Sequence, residues 1–248
     1  TLIVDGSEHK HPKPKTLDWR PDKMVANYEI AGVNISEDKF ISRDDVLTAL
    51  IVSDKDVSIR FEGESFWEPS KIPSFDGDEV EGSFSRTCES KITFDESANA
   101  LRLLEAGTAI AKPLYGEPTA IGRMMYDGLS FVYSASVPME DVKWSEQSKG
   151  NLGYSFVLNL PAGQPVSLTL AVADEYSEAL SRSEQGNAEA MPAMAEKTEW
   201  FNDLLNEQIP YFRCSDEKAV ETYYYLWALN FMYFRDIGEG WLKYPHTQ

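Results

Sequence analysis

The segment from Val220 to Phe234 constrains the fold more than any other part of the chain. It reads Val-Glu-Thr-Tyr-Tyr-Tyr-Leu-Trp-Ala-Leu-Asn-Phe-Met-Tyr-Phe, so apolar and aromatic groups would cover nearly every face of a helix. Such a helix has to be surrounded by protein, because its exposure would create an unusually large apolar patch. We therefore expect it to lie in an oligomer interface or in a larger domain that is incomplete in this chain, and we favour the second.

The residues on either side predict where this helix begins and ends. Ser215 can cap the N-terminus, and Asp216 and Glu217 suit the positively polarised end of a helix. Gly238 and Gly240 follow the aromatic run and end the helix. The expected helix therefore runs from about residue 215 to residue 234.

A second, amphipathic helix is predicted before the aromatic one. Its apolar face repeats at intervals of four, three and four residues: Met194, Thr198, Phe201 and Leu205. Pro192 falls near the first turn, where its missing N–H is harmless, and Pro210 ends the helix. The polar stretch from Ser183 to Asn187 is expected to be a loop.

Alternation of apolar and polar residues dominates from about residue 25 to residue 172 and predicts β-strands. The clearest strands lie at 57–62, 131–134, 154–160 and 166–172. Pro161-Ala162-Gly163-Gln164 separates the last two and is typical of a hairpin turn. No strand is followed by a helix-length amphipathic segment, so an antiparallel sandwich is expected. The polar residues from Asp5 to Pro21 are expected to form an extended arm or a sheet edge.

Composition narrows the range of partners. The chain of 248 residues has 23 Lys and Arg against 41 Asp and Glu, a net charge of -18, which argues against a nucleic-acid partner. No apolar run approaches the length of a membrane span, so no membrane partner is expected. Acidic clusters at Asp44/Asp45, Asp54/Asp56 and Asp76/Asp78/Glu79 lack calcium-loop spacing and are interpreted as solvated turns. No metal site and no cofactor are predicted.

The region from residue 152 to residue 234 resembles a known junction. Leu160–Leu170 is followed by a linker helix carrying Trp200, then by Ile209-Pro210-Tyr211-Phe212 and the aromatic helix. This order is similar to the passage from sandwich to barrel in the six-hairpin glycosidases, in particular the group around glycoside hydrolase family 63. The resemblance implies a mainly β fold: an antiparallel super-sandwich, a linker helix and the first helix of a truncated (α/α)6 barrel. It implies domains at 1–180, 181–212 and 213–248, the last incomplete.

The same resemblance implies a function for the whole protein. Members of the superfamily cleave glycosidic bonds with two carboxylates on barrel loops well beyond the first helix, most often with inversion. No residue of this chain matches those positions, so none is assigned a catalytic role. The implied partners are a carbohydrate substrate and either the rest of the barrel or a partner subunit that covers Tyr223–Phe234. The location implied by this function is periplasmic or extracellular.

Four residues after the aromatic helix are candidates for substrate binding: Trp241, Tyr244, His246 and Gln248. Sugar sites combine aromatic stacking with a few fixed polar groups, and these side chains supply both. Packing at the domain junction explains them equally well. Two other functions stay open: a glycoside phosphorylase of the same architecture, and a non-catalytic carbohydrate-binding or assembly module.

Overall fold

The computed structural model describes the backbone of residues 1–42, 44–64, 72–73, 79–80, 84–111, 123–146 and 152–233. Side chains are described for residues 1–42, 44–64, 91–104, 129–146 and 152–231. The predicted fold class is confirmed: most described residues form antiparallel strands in two main sheets, and helices follow them.

The first group of strands precedes the long hairpins in the chain. It consists of β1 (Leu2–Val4), β2 (Ser7–His9), β3 (Thr16–Trp19), β4 (Met24–Ile30), β5 (Val33–Ile41), β6 (Leu47–Ser53), β7 (Val57–Glu64), β8 (Ile72–Pro73) and β9 (Glu79–Val80). The remaining strands are β10 (Phe84–Asp95), β11 (Ala100–Ala111), β12 (Arg123–Ala135), β13 (Met139–Glu146), β14 (Leu152–Leu160) and β15 (Val166–Ala173).

Two of the sheets face each other. The five-stranded sheet has the order β13-β14-β7-β1-β2, and the eight-stranded sheet has the order β10-β11-β12-β15-β6-β5-β4-β3. Alternate residues of both sheets form the core between them, among them Ile51, Leu101, Phe156 and Leu158, which are almost fully buried. The alternation that predicted the strands therefore also identified their buried faces.

The predicted arm between Asp5 and Pro21 forms sheet edges, as expected. Strand β2 ends the five-stranded sheet and β3 ends the eight-stranded one. Asp5 and Gly6 make the turn from β1 to β2 with positive φ angles of 47° and 77°. This pair of residues suits a two-residue hairpin turn.

The prediction of a hairpin at Pro161–Gln164 is wrong. The turn exists, since the Gln164 N–H donates to the Pro161 carbonyl at 3.2 Å, but β14 and β15 belong to different sheets. Strand β14 pairs with β7, while β15 pairs with β6. Turn-forming residues determine the local reversal of the chain, but they do not determine which strands pair after it.

The turn is one half of a double bend between the sheets. Residues 54–56 carry the chain from β6 to β7, and residues 161–165 carry it back from β14 to β15. The two bends are hydrogen-bonded to each other. Gly163 N–H donates to the Ser53 carbonyl at 2.7 Å, and Ala162 N–H donates to Asp56 Oδ1 at 2.8 Å. A two-stranded ribbon thus passes from one sheet into the other.

Three α-helices follow the strands: α1 (Tyr176–Ala188), α2 (Ala190–Asp203) and α3 (Glu217–Tyr233). A π-helical turn, Leu204–Gln208, extends α2 up to Pro210, which confirms the predicted end of that helix. The predicted loop from Ser183 to Asn187 is wrong, because these residues lie within α1.

Helix α1 packs on the outer face of the eight-stranded sheet through polar side chains. The Ser183 hydroxyl lies 2.7 Å from that of Ser134 and 2.8 Å from that of Thr169. One turn later, Asn187 donates to Ser134 and accepts from the Ser167 hydroxyl. Hydroxyls thus occupy positions where an apolar stripe is usual, which is why the sequence pattern did not predict a helix here.

Candidate functional site

The aromatic helix α3 begins at a capped turn. Asp216 Oδ1 accepts the backbone N–H of Lys218 at 3.0 Å and that of Ala219 at 3.3 Å. Asp216 is therefore the N-cap residue, and the predicted role of Ser215 as the cap is wrong. An aspartate caps as well as a serine, and its charge also favours the positively polarised end of the helix.

The segment before α3 is tied back onto the helix. Tyr223 Oη donates to the Pro210 carbonyl at 2.7 Å, and the ring of Tyr223 lies 4.9 Å from that of Phe212. Along the helix, the ring of Trp227 lies within 6.4 Å of the ring of Tyr223 and within 6.0 Å of that of Phe231. The aromatic side chains thus pack on each other along one side of α3.

Another side of α3 carries exposed apolar groups. Tyr225 is 46% exposed and Leu226 is 53% exposed, whereas Ala228 is buried. The ring of Tyr225 makes an edge-to-face contact with Trp19 of β3, with the ring centroids 5.2 Å apart. Helix α3 therefore reaches the edge of the eight-stranded sheet while keeping much of its apolar surface in solvent.

Helix α2 holds the helical segment against the sandwich. Asp22, which is 4% exposed, accepts the Thr198 hydroxyl at 2.6 Å and Arg20 Nε at 2.9 Å. Burial raises the pKa of Asp22, but the hydrogen bonds from Thr198 and Arg20 outweigh it and hold the pKa below its ordinary value. Burial also lowers the pKa of Lys197, whose ammonium donates to the Ile41 carbonyl.

The predicted substrate-binding residues Trp241, Tyr244, His246 and Gln248 lie outside the described residues. The structure therefore neither brings them together nor separates them. They remain predictions.

A cavity of about 190 Å³ lies between the two sheets, next to β1. Ile51, Ile59 and Phe61 form part of its apolar wall. Its polar groups are those of Glu37, which accepts the Tyr28 hydroxyl at 3.1 Å and is paired with Lys39 at 3.1 Å. The burial of Tyr28 and the adjacent Glu37 raise the pKa of Tyr28 to about 12.

Sequence reasoning did not identify this polar cluster, although a signal was present. Glu37 and Lys39 continue the inward alternation of Val33 and Ile35 along β5. A charged residue at an inward position of a strand is unusual and marks either a buried ion pair or a site.

The described carboxyl groups with shifted pKa values are all shifted downwards. Hydrogen bonds and charge from a cation lower the pKa of Glu8, through Arg60, and of Glu29, through Lys15. Hydrogen bonds lower the pKa of Asp95, chiefly through Ser97. These groups stay ionised at neutral pH and do not resemble a general acid, whose pKa has to be raised.

Two acidic clusters of the sequence serve as braces in turns. Asp54 accepts the backbone N–H of Asn34 at 2.8 Å and its side-chain amide at 2.7 Å. Asp56 holds the neighbouring bend through Ala162. Among the described residues no group of His, Cys, Asp or Glu side chains could hold a metal ion. Within the same residues, no helix has the length and hydropathy needed to cross a membrane.

No protein-family model matches this sequence, and no curated protein matches it significantly. Three solved structures match most of the described fold. A protein described as a kojibiose phosphorylase from the human microbiome is 13% identical, with a TM-score of 0.43, over 82% of this chain and 27% of its own. A family GH92 inverting mannosidase from Bacteroides thetaiotaomicron is 10% identical, with a TM-score of 0.44, over 83% of this chain and 25% of its own.

The third structure is a bacterial glucoamylase in complex with acarbose. It is 11% identical, with a TM-score of 0.43, over 84% of this chain and 32% of its own. All three are by name carbohydrate-active enzymes, and the similarity is distant. This chain spans about a quarter to a third of the length of each of them.

Proposed function

We propose that this chain is the N-terminal portion of a glycoside hydrolase that cleaves an oligo- or polysaccharide. The catalytic acid and base lie outside the chain, and α3 is the first helix of the barrel that carries them. The observation that supports this most is the order of a two-sheet sandwich, a docked helix and an aromatic helix with exposed Tyr225 and Leu226. This is the order on which the sequence resemblance rests.

The state of the carboxyl groups gives further support. Glycoside hydrolysis by this route needs one carboxylic acid with a raised pKa and one carboxylate, about 6.5–9.5 Å apart for inversion. The lowered pKa values of Asp22 and Asp54 suit structural roles, since each accepts hydrogen bonds that favour the ionised form. In this proposal, the sandwich supports the barrel and does not carry out chemistry.

The docking of α2 explains how the sandwich would brace a barrel. Thr198 and Lys197 attach the helix to the loop before β4 and to the end of β5. Lys23 adds an ion pair with Asp38 at 2.7 Å and lies 3.6 Å from the sulfur of Met194. A barrel that begins at α3 would inherit a fixed position relative to the eight-stranded sheet.

The experiment compares two proteins: the 248-residue chain and the product of its reading frame extended to the stop codon. Both are assayed against a panel of oligosaccharides and aryl glycosides, with and without inorganic phosphate. We expect hydrolysis by the extended protein without phosphate and no activity of the shorter chain. Sugar hydrolysis by the 248-residue chain would refute the proposal, and a strict need for phosphate would identify a phosphorylase.

The candidate substrate-binding residues are tested in the extended protein. Alanine variants of Trp241, Tyr244, His246 and Gln248 are expected to raise KM while the melting temperature stays close to that of the parent. Trp144→Ala is the matched control, since Trp144 is a half-exposed tryptophan on the edge strand β13 of the sandwich. Unchanged kinetics with lowered stability would assign the four residues to packing at the domain junction.

A further inference from the structure

The inner face of the eight-stranded sheet is only partly covered. At one end of this face, apolar side chains of adjacent strands are exposed, and we name this surface the apolar shelf. Its members are Leu17, Trp19, Met24, Ile41, Leu47 and Val172, which are 37% to 58% exposed.

Strand register places these residues on one surface. Trp19 pairs with Met24, and Ile41 pairs with Leu47, so each pair shares a face of the sheet. Leu47 in turn pairs with Leu170, two residues before Val172 on β15. Neighbouring strands are antiparallel, so the C-terminal ends of β3, β5 and β15 meet the N-terminal ends of β4 and β6.

Further along the same strands, the inner face is buried. Ala49 and Ile51, two and four residues after Leu47 on β6, are 9% and 1% exposed. Leu168, four residues before Val172 on β15, is 8% exposed. The five-stranded sheet thus covers the middle of the inner face and leaves the shelf beyond it. A contiguous apolar surface of this kind marks an interaction site.

The chemistry of the shelf favours a protein occupant over a sugar. Leu17, Ile41 and Leu47 are branched aliphatic residues without hydrogen-bonding groups. A saccharide needs fixed polar partners around its hydroxyls, while an apolar protein surface needs none. A second copy of the chain is disfavoured, since each copy carries a net charge of -18.

The position of α3 indicates which protein surface this is. Trp19 is both a member of the shelf and the residue that contacts Tyr225 of α3. The exposed Tyr225 and Leu226 therefore border the shelf at its β3 corner. Any apolar body that packs on this side of α3 comes next to the shelf as well.

We propose that the apolar shelf and the exposed side of α3 form one continuous docking surface. Its occupant is the apolar face of helices that follow α3 along the chain. This inference rests on the proposed function, since it requires those helices to exist, and it adds the sheet face to their expected interface. The sandwich would thus contact the helical domain through side chains of the eight-stranded sheet as well as through the chain connection.

Cysteine labelling tests this surface directly. Ile41→Cys and Leu47→Cys are made in both the 248-residue chain and the extended protein, with Glu140→Cys on edge strand β13 as the control. Maleimide labelling is followed by peptide mass spectrometry, which separates the new thiols from Cys88 and Cys214. We expect labelling at the control rate in the shorter chain and about tenfold slower labelling of the shelf in the extended protein.

A charge substitution gives a second readout. Leu47→Lys is expected to leave the melting temperature of the 248-residue chain unchanged, because Leu47 is already half exposed there. In the extended protein it would bury an unpaired charge and lower the melting temperature. Glu140→Lys is the control and is expected to be neutral in both forms.

The outcomes separate this inference from the proposed function. A glycosidase whose shelf cysteines label equally fast in both forms would overturn the docking surface alone. Protected cysteines in an extended protein that cleaves no glycoside would overturn the proposed function alone. Slow labelling in the shorter chain would mean that the chain covers its own shelf or pairs with a second copy. Sedimentation at several concentrations distinguishes these two cases, and either one overturns the inference.

Discussion

The ring of Tyr154 lies directly across Gly63 on the neighbouring strand. A β-carbon at residue 63 would come within 2.4 Å of both Cζ and Oη of Tyr154. Tyr154 Oη donates to Tyr133 Oη at 3.0 Å, and burial followed by the charge of Tyr133 raises the pKa of Tyr154. The space above residue 63, and not its backbone conformation, therefore requires glycine at this position.

Gly63→Ala is expected to lower the free energy of unfolding by about 1–3 kcal/mol, the usual cost of overpacking. The measurement is urea denaturation followed by far-UV circular dichroism. Tyr154→Ala provides the matched background, because it removes the ring that the new methyl group would meet. If Gly63→Ala costs as much in that background as in the parent, the contact with Tyr154 is not the cause.

Ala31→Asn is expected to stabilise the protein by about 0.5–1 kcal/mol, because Asn-Gly suits a two-residue hairpin turn and alanine does not. Ala31 and Gly32 connect β4 to β5 with positive φ angles of 50° and 73°. The β1–β2 turn has the same form, with aspartate in place of alanine. Thermal unfolding measures the effect, and Ala31→Val, which places a β-branched residue at positive φ, is expected to destabilise instead.

The stability of the fold is expected to fall in acid partly through Asp22. Its folded-state pKa lies below the ordinary value of 3.8, so its ionised form stabilises the fold. This contribution is complete above the ordinary pKa and is lost as the pH falls through the folded-state pKa. Asp22→Asn is expected to flatten this part of the profile when unfolding is measured from about pH 6 to about pH 2.

The hydroxyl of Thr198 provides a separate test of the same contact. Thr198→Val is expected to cost about 1–3 kcal/mol, because a buried carboxylate loses a hydrogen bond. Thr198→Ser keeps the hydroxyl and is expected to cost less. Equal losses for the two variants would show that the methyl group, and not the hydrogen bond, holds α2 in place.

Ser183→Leu is expected to destabilise the protein by about 2–4 kcal/mol, because it overfills a closed space and leaves Ser134 and Thr169 short of a partner. Ser183 is fully buried beneath α1, whereas Ser181 on the same helix is exposed. Ser181→Leu is therefore the control and is expected to change the free energy of unfolding by less than about 0.5 kcal/mol. A similar loss for both variants would place the effect in helix propensity.

The contact between Trp19 and Tyr225 is expected to give a coupling energy of about 0.5–1.5 kcal/mol in a double-mutant cycle with alanine. Hydrogen exchange of the amides of α3 measures the local opening that this contact resists. Trp19 and Trp144 lie on edge strands of different sheets, so their cycle serves as the control and is expected to give no coupling. Independent effects of Trp19 and Tyr225 would mean that the edge of the sheet does not hold the helix.

The sequence predicted those features that are written in local periodicity. The inward alternation of Val57, Ile59 and Phe61 fits strand β7 and its buried face. The spacing of Thr198 and Phe201 predicted the face of α2 that meets the sandwich. In these segments one side of the element is apolar and the other polar, and that contrast is visible without a structure.

Features that depend on distant parts of the chain could not be predicted in this way. Ser183 resembles a loop residue until Ser134 and Thr169, 49 and 14 positions away, provide its hydrogen-bond partners. Pro161–Gln164 forms a turn in either topology, and only the pairing of β6 with β15 determines which one occurs. Glu37 and Lys39 have the spacing of core residues but not their chemistry, so the polar part of the cavity was missed.

The ribbon that passes from one sheet to the other sets the order in which the chain can fold. Strand β1 needs β7, β7 needs β14, and β6 needs β15, so neither sheet can close before residue 173 has been synthesised. Long-range pairings of this kind make folding slow and leave strand edges unpaired meanwhile. On the ribosome, the chain would therefore wait for the end of β15, and a nascent chain that stalled before it would be a substrate for chaperones.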